Sequence, residues 1–171
     1  MTWTAPRIER SEPPYVADER TSLEAWLTFH RKTLLWKCEG LTPEQLATRA
    51  VPPSSMSLLG LVRHMTDVER WWFRTQLRGE QVDGPFGPGN TSGDFDDLES
   101  MPADQVWEAF RTECDAADAA AAGLPLEATF THGRHGEIDL RWVYVHMIEE
   151  YARHNGHADL LRELVDGTTG D

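Results

Sequence analysis

Residues 146–163, with the sequence HMIEEYARHNGHADLLRE, lie in the stretch that decides the fold. Apolar residues recur there at the period of an α-helix, which predicts one long helix from about Leu140 to Val165. Glu150 and His154 fall inside the apolar stripe, four residues apart, so they point the same way from successive turns. A carboxylate on an apolar face is costly unless it is paired with a cation or binds a metal ion. The pattern therefore predicts a buried helix face that carries a site with its own chemistry.

A second helical stretch, residues 57–73 (SLLGLVRHMTDVERWWF), has the same kind of anomaly. His64 lies on its inward side, among leucine, valine and tryptophan residues. One histidine from this helix and the Glu150–His154 pair give a His₂Glu ligand set, which leaves a fourth coordination position open, as in catalytic zinc sites. Facing helices of bundles commonly build metal sites in this way. We predict one divalent metal ion at these three residues, with zinc favoured and nickel as the alternative.

Two simpler interpretations compete with the metal site. A buried ion pair would satisfy the glutamate–histidine pair, and a hydrogen-bonded structural histidine would explain His64. Polar residues that face inward from two helices favour the metal. Around it, His146 and His157 lie at the edge of the stripe and are predicted to orient the ligands or to line a pocket. Arg153 either meets an anionic substrate or pairs with a glutamate of its own helix, and the sequence leaves both open.

Other side chains of the second helix receive structural interpretations. Trp71 and Trp72 are assigned to packing in the core and at its rim. Arg63, Arg70 and Arg74 are predicted to form a stripe that faces solvent, away from the metal.

Apolar periodicity predicts four long helices, at about 18–38, 57–78, 103–122 and 140–165. Thr42 is expected to cap a short helix that begins with Pro43, and Asp139 and Gly167 are the expected start and end signals of the last long helix. No strand-like alternation of useful length is present. The fold class is therefore all-α, an antiparallel four-helix bundle.

The remaining segments set the domain boundaries. Residues 1–17 are expected to form an extended N-terminal arm, and residues 168–171 a C-terminal tail, which leaves one domain at 18–167. The segment 80–99 is rich in glycine, proline and aspartate, and a loop of that length is often functional or crosses between the ends of a bundle. The segment 129–137 forms either a short hairpin or an irregular loop.

Composition limits the partners. A formal net charge of -13 argues against nucleic acid, because phosphate binding depends on lysine and arginine. No apolar run is long enough for a membrane span, and the N-terminal sequence lacks the apolar stretch of a signal peptide, so we expect a cytoplasmic protein. The two cysteines, Cys38 and Cys114, fall on apolar helix faces and are expected to be buried free thiols.

With the motifs 57–73 and 146–163, the sequence resembles the DinB-like superfamily over about residues 18–165. This resemblance implies an up-down-down-up four-helix bundle in which one histidine of the second helix and a pair on the fourth bind a divalent metal. His64, Glu150 and His154 match those positions. Many members have histidine where this chain has Glu150, but the branch that resembles mycothiol-dependent maleylpyruvate isomerase uses the same His, Glu, His set.

The resemblance implies a metal-dependent thiol S-transferase or a related isomerase, in which the metal activates mycothiol, a sugar-containing thiol, for attack on an electrophile. It further implies that the loop at 80–99 covers the sugar portion. The expected partners are thus a small-molecule thiol and an electrophile, with a homodimer left open. Two alternatives are kept: a non-catalytic, stress-associated metal-binding bundle that acts through dimer contacts, and a metal-dependent hydrolase.

Overall fold

The structure is a computed structural model of the 171-residue chain, and it describes residues 3–86 and 93–170. These residues are mostly helical, as the all-α prediction requires, with one small two-stranded sheet. The elements in chain order are α1 (Glu19–Trp36), α2 (Pro43–Leu46), α3 (Leu58–Glu69) with a π-helical continuation (Arg70–Gln76), α4 (Gly93–Asp96), α5 (Ala103–Ala121), β1 (Thr129–His132), β2 (Gly136–Asp139) and α6 (Leu140–Asp166).

Local capping signals set the helix ends where the sequence predicts them. Asp139 caps α6, since its side chain accepts a hydrogen bond from the Trp142 amide. Thr42 and Gln45 form a reciprocal capping box at α2. Gly167 ends α6 with φ 79°, a left-handed conformation that a residue without Cβ adopts without strain.

Four long helices enclose the core. α1 packs along α6, and α3 packs against both α5 and α6. The predicted apolar stripes face this core, where Leu61 and Met65 of α3 and Met147 and Ala158 of α6 are fully buried. Burial of such side chains is worth about 1.5–3 kcal/mol each for the larger ones. The packing of α3 on α6 brings the two predicted motifs into contact.

Three local features were not specified by the sequence. The second helix changes to π-helix at Arg70, and such segments are often found at functional sites. The short helix α4 lies within the segment predicted as a loop at 80–99, of which 87–92 lie outside the described residues. The segment after α5 is a hairpin, in which Phe130 is opposite Ile138.

The prediction of a solvent-facing arginine stripe is wrong for Arg63 and Arg70, which are both buried. Arg63 donates to the Gly93 carbonyl at 3.0 Å and to Ser100 Oγ at 3.1 Å, so the segment around α4 covers it. Arg70 pairs with the buried carboxylate of Glu113. Burial of an arginine is tolerated where its N–H groups find acceptors, and here the acceptors come from distant parts of the chain.

The N-terminal segment 3–17 has no helix and lies on the helices, as expected of an extended arm. Ala5 is buried and exchanges backbone hydrogen bonds with Gly40 and Leu41, both at 2.9 Å. Trp3 meets Trp107 of α5 edge to face. In the described part of the chain, no helix is both long and apolar enough to cross a membrane.

Candidate metal centre

The structure brings the three predicted ligands together between α3 and α6. His64 projects from α3, and its ring centroid lies 4.9 Å from that of His154 on α6. Glu150 Oε2 lies 3.6 Å from His154 Nε2, one helical turn away. All three side chains are half-buried, so each keeps part of its surface accessible to solvent.

Two contacts orient the histidine rings. His64 Nδ1 lies 3.0 Å from Asp94 Oδ2. The other ring nitrogen of His64, Nε2, takes no part in this contact. His154 Nδ1 lies 3.4 Å from Nδ1 of His157, so its Nε2 faces Glu150. A ligand histidine typically gives its second nitrogen to a carboxylate or another polar group, which fixes the ring. His157 thus contacts the ring of His154, and its orienting role stays a prediction.

Burial favours the neutral form of two imidazoles, those of His154 and His146. Burial, together with the neighbouring His64 and His157, lowers the pKa of His154 to about 4. Burial also lowers the pKa of His146, against the opposing effect of Glu150. A neutral imidazole is the form that binds a metal ion, so these rings need no deprotonation at neutral pH.

The donor geometry fits a divalent ion. Two ligands at about 2.1 Å from zinc in tetrahedral geometry lie about 3.4 Å apart, close to the 3.6 Å between Glu150 and His154. This separation is too long for a direct hydrogen bond, so two atoms that carry lone pairs face each other without sharing a proton. The two residues therefore fit the group that the resemblance implies.

A different set forms the tightest group of ligand atoms among residues 3–86 and 93–170. His146, Glu149 and Glu150 have ligand atoms within 4.8 Å of one another. His64 is not in a group this tight, so it must approach the Glu150–His154 pair to complete the predicted set. Glu149, in turn, is exposed and already paired with Arg153. That pairing favours the set that draws on two helices over the one-helix group.

Arg153 lies beside the site with its side chain more than half exposed. Its guanidinium forms an ion pair with Glu149, and Nη1 lies 3.9 Å from Glu150 Oε2. Of the two roles that the sequence left open for Arg153, the structure shows the pairing with glutamates of its own helix.

One comparison with known proteins decides the family. The profile of the family described as Mycothiol-S-transferase matches residues 22–167, most of the chain and both motifs. The chain belongs to the mycothiol-S-transferase family. Comparison with curated proteins finds no match. Membership in this family confirms the predicted branch and supports mycothiol as the thiol and S-transfer as the class of reaction.

In this member of the mycothiol-S-transferase family, Asp94 is a site residue that sequence reasoning missed. It is buried on α4 and reaches His64 across 30 positions of sequence. Gly60 permits the approach, because a Cβ there would lie 2.5 Å from the Phe95 ring. The only signal in the sequence was the long glycine-rich segment in which Asp94 lies.

A row of rings lies at the edge of the centre, and of its members the sequence singled out only His146 as a pocket residue. We call it the aromatic row, and it comprises Trp72, His132, His135, Trp142 and His146. His146 stacks on Trp142 with centroids 4.7 Å apart, and His132 stacks on Trp72 at 5.7 Å. The π-helical segment supplies Trp72, and the hairpin supplies His132 and His135. The aromatic row thus brings the π-helical segment and the hairpin close to Glu150.

A second buried carboxylate lies between the same helices of this mycothiol-S-transferase family member. Glu69 of α3 is fully buried, and its carboxylate accepts hydrogen bonds from Arg31 Nε at 2.6 Å and from Arg31 Nη2 at 2.7 Å. The Tyr151 hydroxyl donates to it at 2.7 Å. Tyr151 directly follows Glu150, so a closed charge cluster and the open candidate centre lie side by side on α6.

Proposed function

We propose that this chain is a divalent-metal-dependent mycothiol S-transferase or related isomerase, with His64, Glu150 and His154 as the metal ligands. The observation that carries the proposal is that Glu150 Oε2 and His154 Nε2 face each other at 3.6 Å, beside the ring of His64. Two imidazoles and a carboxylate form a donor set of catalytic zinc sites. The family match supplies the thiol and the class of reaction.

When zinc is bound there, it supplies a lowered thiol pKa, so that the sulfur is a thiolate at neutral pH. The chain's own residues hold and orient the site. Asp94 would fix the ring of His64, and His157 would fix that of His154. The thiol proton leaves to solvent, and sulfur bonds to an electrophilic carbon. The electron pair displaced goes to the ring oxygen of an epoxide, to the leaving group of an activated carbon, or to the far carbon of a conjugated double bond, and the oxygen or carbon then takes a proton from solvent.

The cysteines of the chain do not compete as nucleophiles. Burial raises the pKa of the Cys38 thiol to about 12, and it raises the pKa of Cys114 well above its ordinary value. Both are free thiols; Cys38 is buried as predicted, whereas Cys114 is only partly buried. Because thiols with raised pKa values stay protonated at neutral pH, the proposal assigns the reacting sulfur to a small-molecule thiol.

The proposal includes the arrangement that presents the ligands. We infer that α1, α3, α5 and α6 form an antiparallel four-helix bundle in up-down-down-up order within a domain at 18–167. The packing of α1 on α6 and of α3 on α5 and α6 supports this arrangement.

Cobalt substitution tests the proposal. Sulfur coordination to cobalt gives a charge-transfer band, so titration of the cobalt-loaded protein with mycothiol should produce that band. The variant His64→Ala, His154→Ala should neither retain cobalt nor develop the band. Absence of the band with mycothiol and with other small thiols at millimolar concentration would contradict the thiol-transfer role, and metal-dependent hydrolysis or a non-catalytic role would then be favoured.

Metal affinity distinguishes ligands from orienting residues. His154→Ala should lose zinc, whereas His157→Ala and His146→Ala should each weaken binding about 10–100-fold, as expected of groups that orient ligands. Isothermal titration of zinc into each metal-free variant measures this directly. If His157→Ala or His146→Ala loses zinc as completely as His154→Ala, that residue is a direct ligand and the proposed set is wrong.

A further inference from the structure

A cavity of about 440 Å³ opens between the hairpin and the first turn of α6. This volume lies within the range of about 300–1,000 Å³ that is typical of small-molecule sites. Its lining comprises Thr129, His135, Glu137, Ile138, Asp139 and Trp142. We call it the hairpin cavity. None of its lining residues belongs to the proposed ligand set.

One ring separates the hairpin cavity from the metal centre. Trp142 lines the cavity and stacks on His146 with an interplanar angle of 12°. His146 Nε2 in turn lies 3.6 Å from Glu150 Oε1. A ligand with its reactive group at the metal centre can therefore place a second portion in this cavity.

The wall of the hairpin cavity is a pre-ordered aromatic surface. The indole of Trp142 is 43% exposed, yet it is held by His146 and by Trp72, whose centroid lies 5.3 Å away. His135 stacks on His132 at 4.8 Å and closes the row from the hairpin side. A fixed ring loses little conformational entropy when a ligand covers it, so such a wall favours binding.

The rim of the hairpin cavity carries hydrogen-bond acceptors. Glu137 is exposed and is held by the Thr131 hydroxyl, which donates to its Oε1 at 2.8 Å. Asp139 accepts from the Trp142 amide at 2.8 Å, so it already fills the anion-binding end of α6. Carboxylates only accept hydrogen bonds and repel anions. The rim therefore suits a neutral ligand with several donors.

We propose that the hairpin cavity, and not the segment 80–99 expected from the resemblance, binds the sugar portion of the thiol. A sugar ring offers an apolar C–H face, which packs on the indole of Trp142, and hydroxyl donors, which suit the carboxylates of Glu137 and Asp139. A planar aromatic electrophile would cover the indole but would leave the carboxylates without donors. The proposal rests on the proposed function, since it assumes that the thiol carries a sugar and reacts at the metal centre.

The test compares two thiols on cobalt-loaded protein. Mycothiol has the sugar portion and N-acetylcysteine lacks it. Trp142→Ala should weaken mycothiol binding about tenfold and change N-acetylcysteine binding less than about twofold. Glu137→Gln, an exposed and conservative change, should weaken mycothiol alone by about threefold. Trp71→Ala is the matched control, because Trp71 is 48% exposed and does not line the hairpin cavity, and it should change neither thiol.

A second measurement uses the thiol-free sugar portion of mycothiol, titrated calorimetrically into metal-free protein. The wild type should bind it, and Trp142→Ala should bind it about tenfold more weakly. Equal losses for mycothiol and N-acetylcysteine, or no loss for either, would overturn the sugar site while the thiol band upholds the proposed function. Conversely, binding of the sugar portion without any thiol band would retain the hairpin cavity as a sugar site and overturn the proposed function.

Discussion

Two buried or half-buried carboxylates, Glu69 and Glu150, lie between α3 and α6 in very different surroundings. Glu69 is wholly shielded from solvent, and its two oxygens accept three hydrogen bonds from Arg31 and Tyr151. The Glu150 side chain is 19% exposed and has histidine nitrogens at 3.6 Å on either oxygen. In the described part of the chain, that side chain forms no hydrogen bond.

The difference distinguishes a carboxylate that stabilises the fold from one that is a candidate metal ligand. The carboxylate of Glu69 is neutralised by a cation of the protein itself, as a buried charge must be. Among the described residues, the one arginine or lysine paired with Glu150 is the exposed Arg153, whose Nη1 lies 3.9 Å from Oε2, and its imidazole neighbours have lowered pKa values. A half-buried carboxylate with so loose and exposed a partner is suited to a cation from outside. The comparison predicts opposite responses to the same substitution at the two positions.

The largest effect is expected for Glu69→Gln. This change removes the buried counter-charge of Arg31, which then keeps only the exposed carboxylate of Asp118 at 2.7 Å. It should lower the free energy of unfolding by about 3 kcal/mol, with or without zinc. Urea unfolding measures the loss. Glu108→Gln on α5 is the control, because Glu108 pairs with Arg111 at an exposed position and should contribute less than about 0.5 kcal/mol. A loss below about 1 kcal/mol for Glu69→Gln would show that the closed cluster is not structural.

Glu150→Gln should have the opposite effects, with little change in stability and a large loss of zinc affinity. The metal-free stability should change by less than about 1 kcal/mol, since no close cation of the protein loses its partner. Zinc affinity should fall at least about 100-fold, beyond the range typical of orienting groups. Zinc titration of Glu149→Gln provides the control and should give an unchanged affinity. If Glu149→Gln loses zinc as Glu150→Gln does, the one-helix group of His146, Glu149 and Glu150 is the metal site.

Asp94→Asn should produce an intermediate effect at the open centre. The amide keeps the shape of the side chain but removes the charge that faces His64 Nδ1, so zinc affinity should fall about 10–100-fold. Asp96→Asn, an exposed change on the same short helix, should leave zinc affinity unaltered. A complete loss of zinc in Asp94→Asn would instead make Asp94 a direct ligand.

The smallest effect concerns the pH dependence of stability that arises from Asp67, whose carboxyl interacts with that of Asp94. Burial, followed by repulsion from Asp94, raises the pKa of Asp67 to about 6, despite the Arg70 guanidinium at 2.9 Å. The folded metal-free protein therefore keeps a proton that the unfolded chain loses near pH 4. Stability should fall as the pH rises from about 4 to 6, and the penalty remains above pH 6.

Asp67→Asn should remove that penalty and raise the metal-free stability at pH 7 by about 1 kcal/mol, with partial exposure limiting the gain. At pH 3.5 the two proteins should differ little, because Asp67 is then protonated in both states. Thermal unfolding at both pH values checks this. A variant that is less stable than the wild type at pH 7 would mean that the ion pair with Arg70 outweighs the repulsion.

Much of the helical framework was predictable because its signals are local. The caps at Thr42 and Asp139 and the terminator at Gly167 lie within a few residues of the ends they set. The clustering of His64 with the Glu150–His154 pair could also be predicted, because polar side chains on two apolar stripes must meet if the stripes pack together. These inferences needed only periodicity.

The other features depend on contacts that no local pattern encodes. Arg63 is buried because a carbonyl 30 positions away accepts from it, and Asp94 reaches the centre from the same segment. The π-helical continuation of α3 has no distinct sequence period, although it sets the position of Trp72. A site built where long segments return to the helices is therefore only partly visible in sequence.

The most direct measurement of the central claim is X-ray absorption at the zinc edge of the zinc-loaded protein, before and after addition of mycothiol. We expect two imidazole nitrogens and a carboxylate oxygen at about 2.0–2.2 Å from the zinc ion, and one new sulfur at about 2.3 Å from it when the thiol is added. Zinc scattering that contains no imidazole, or that gains no sulfur at saturating mycothiol, would contradict it.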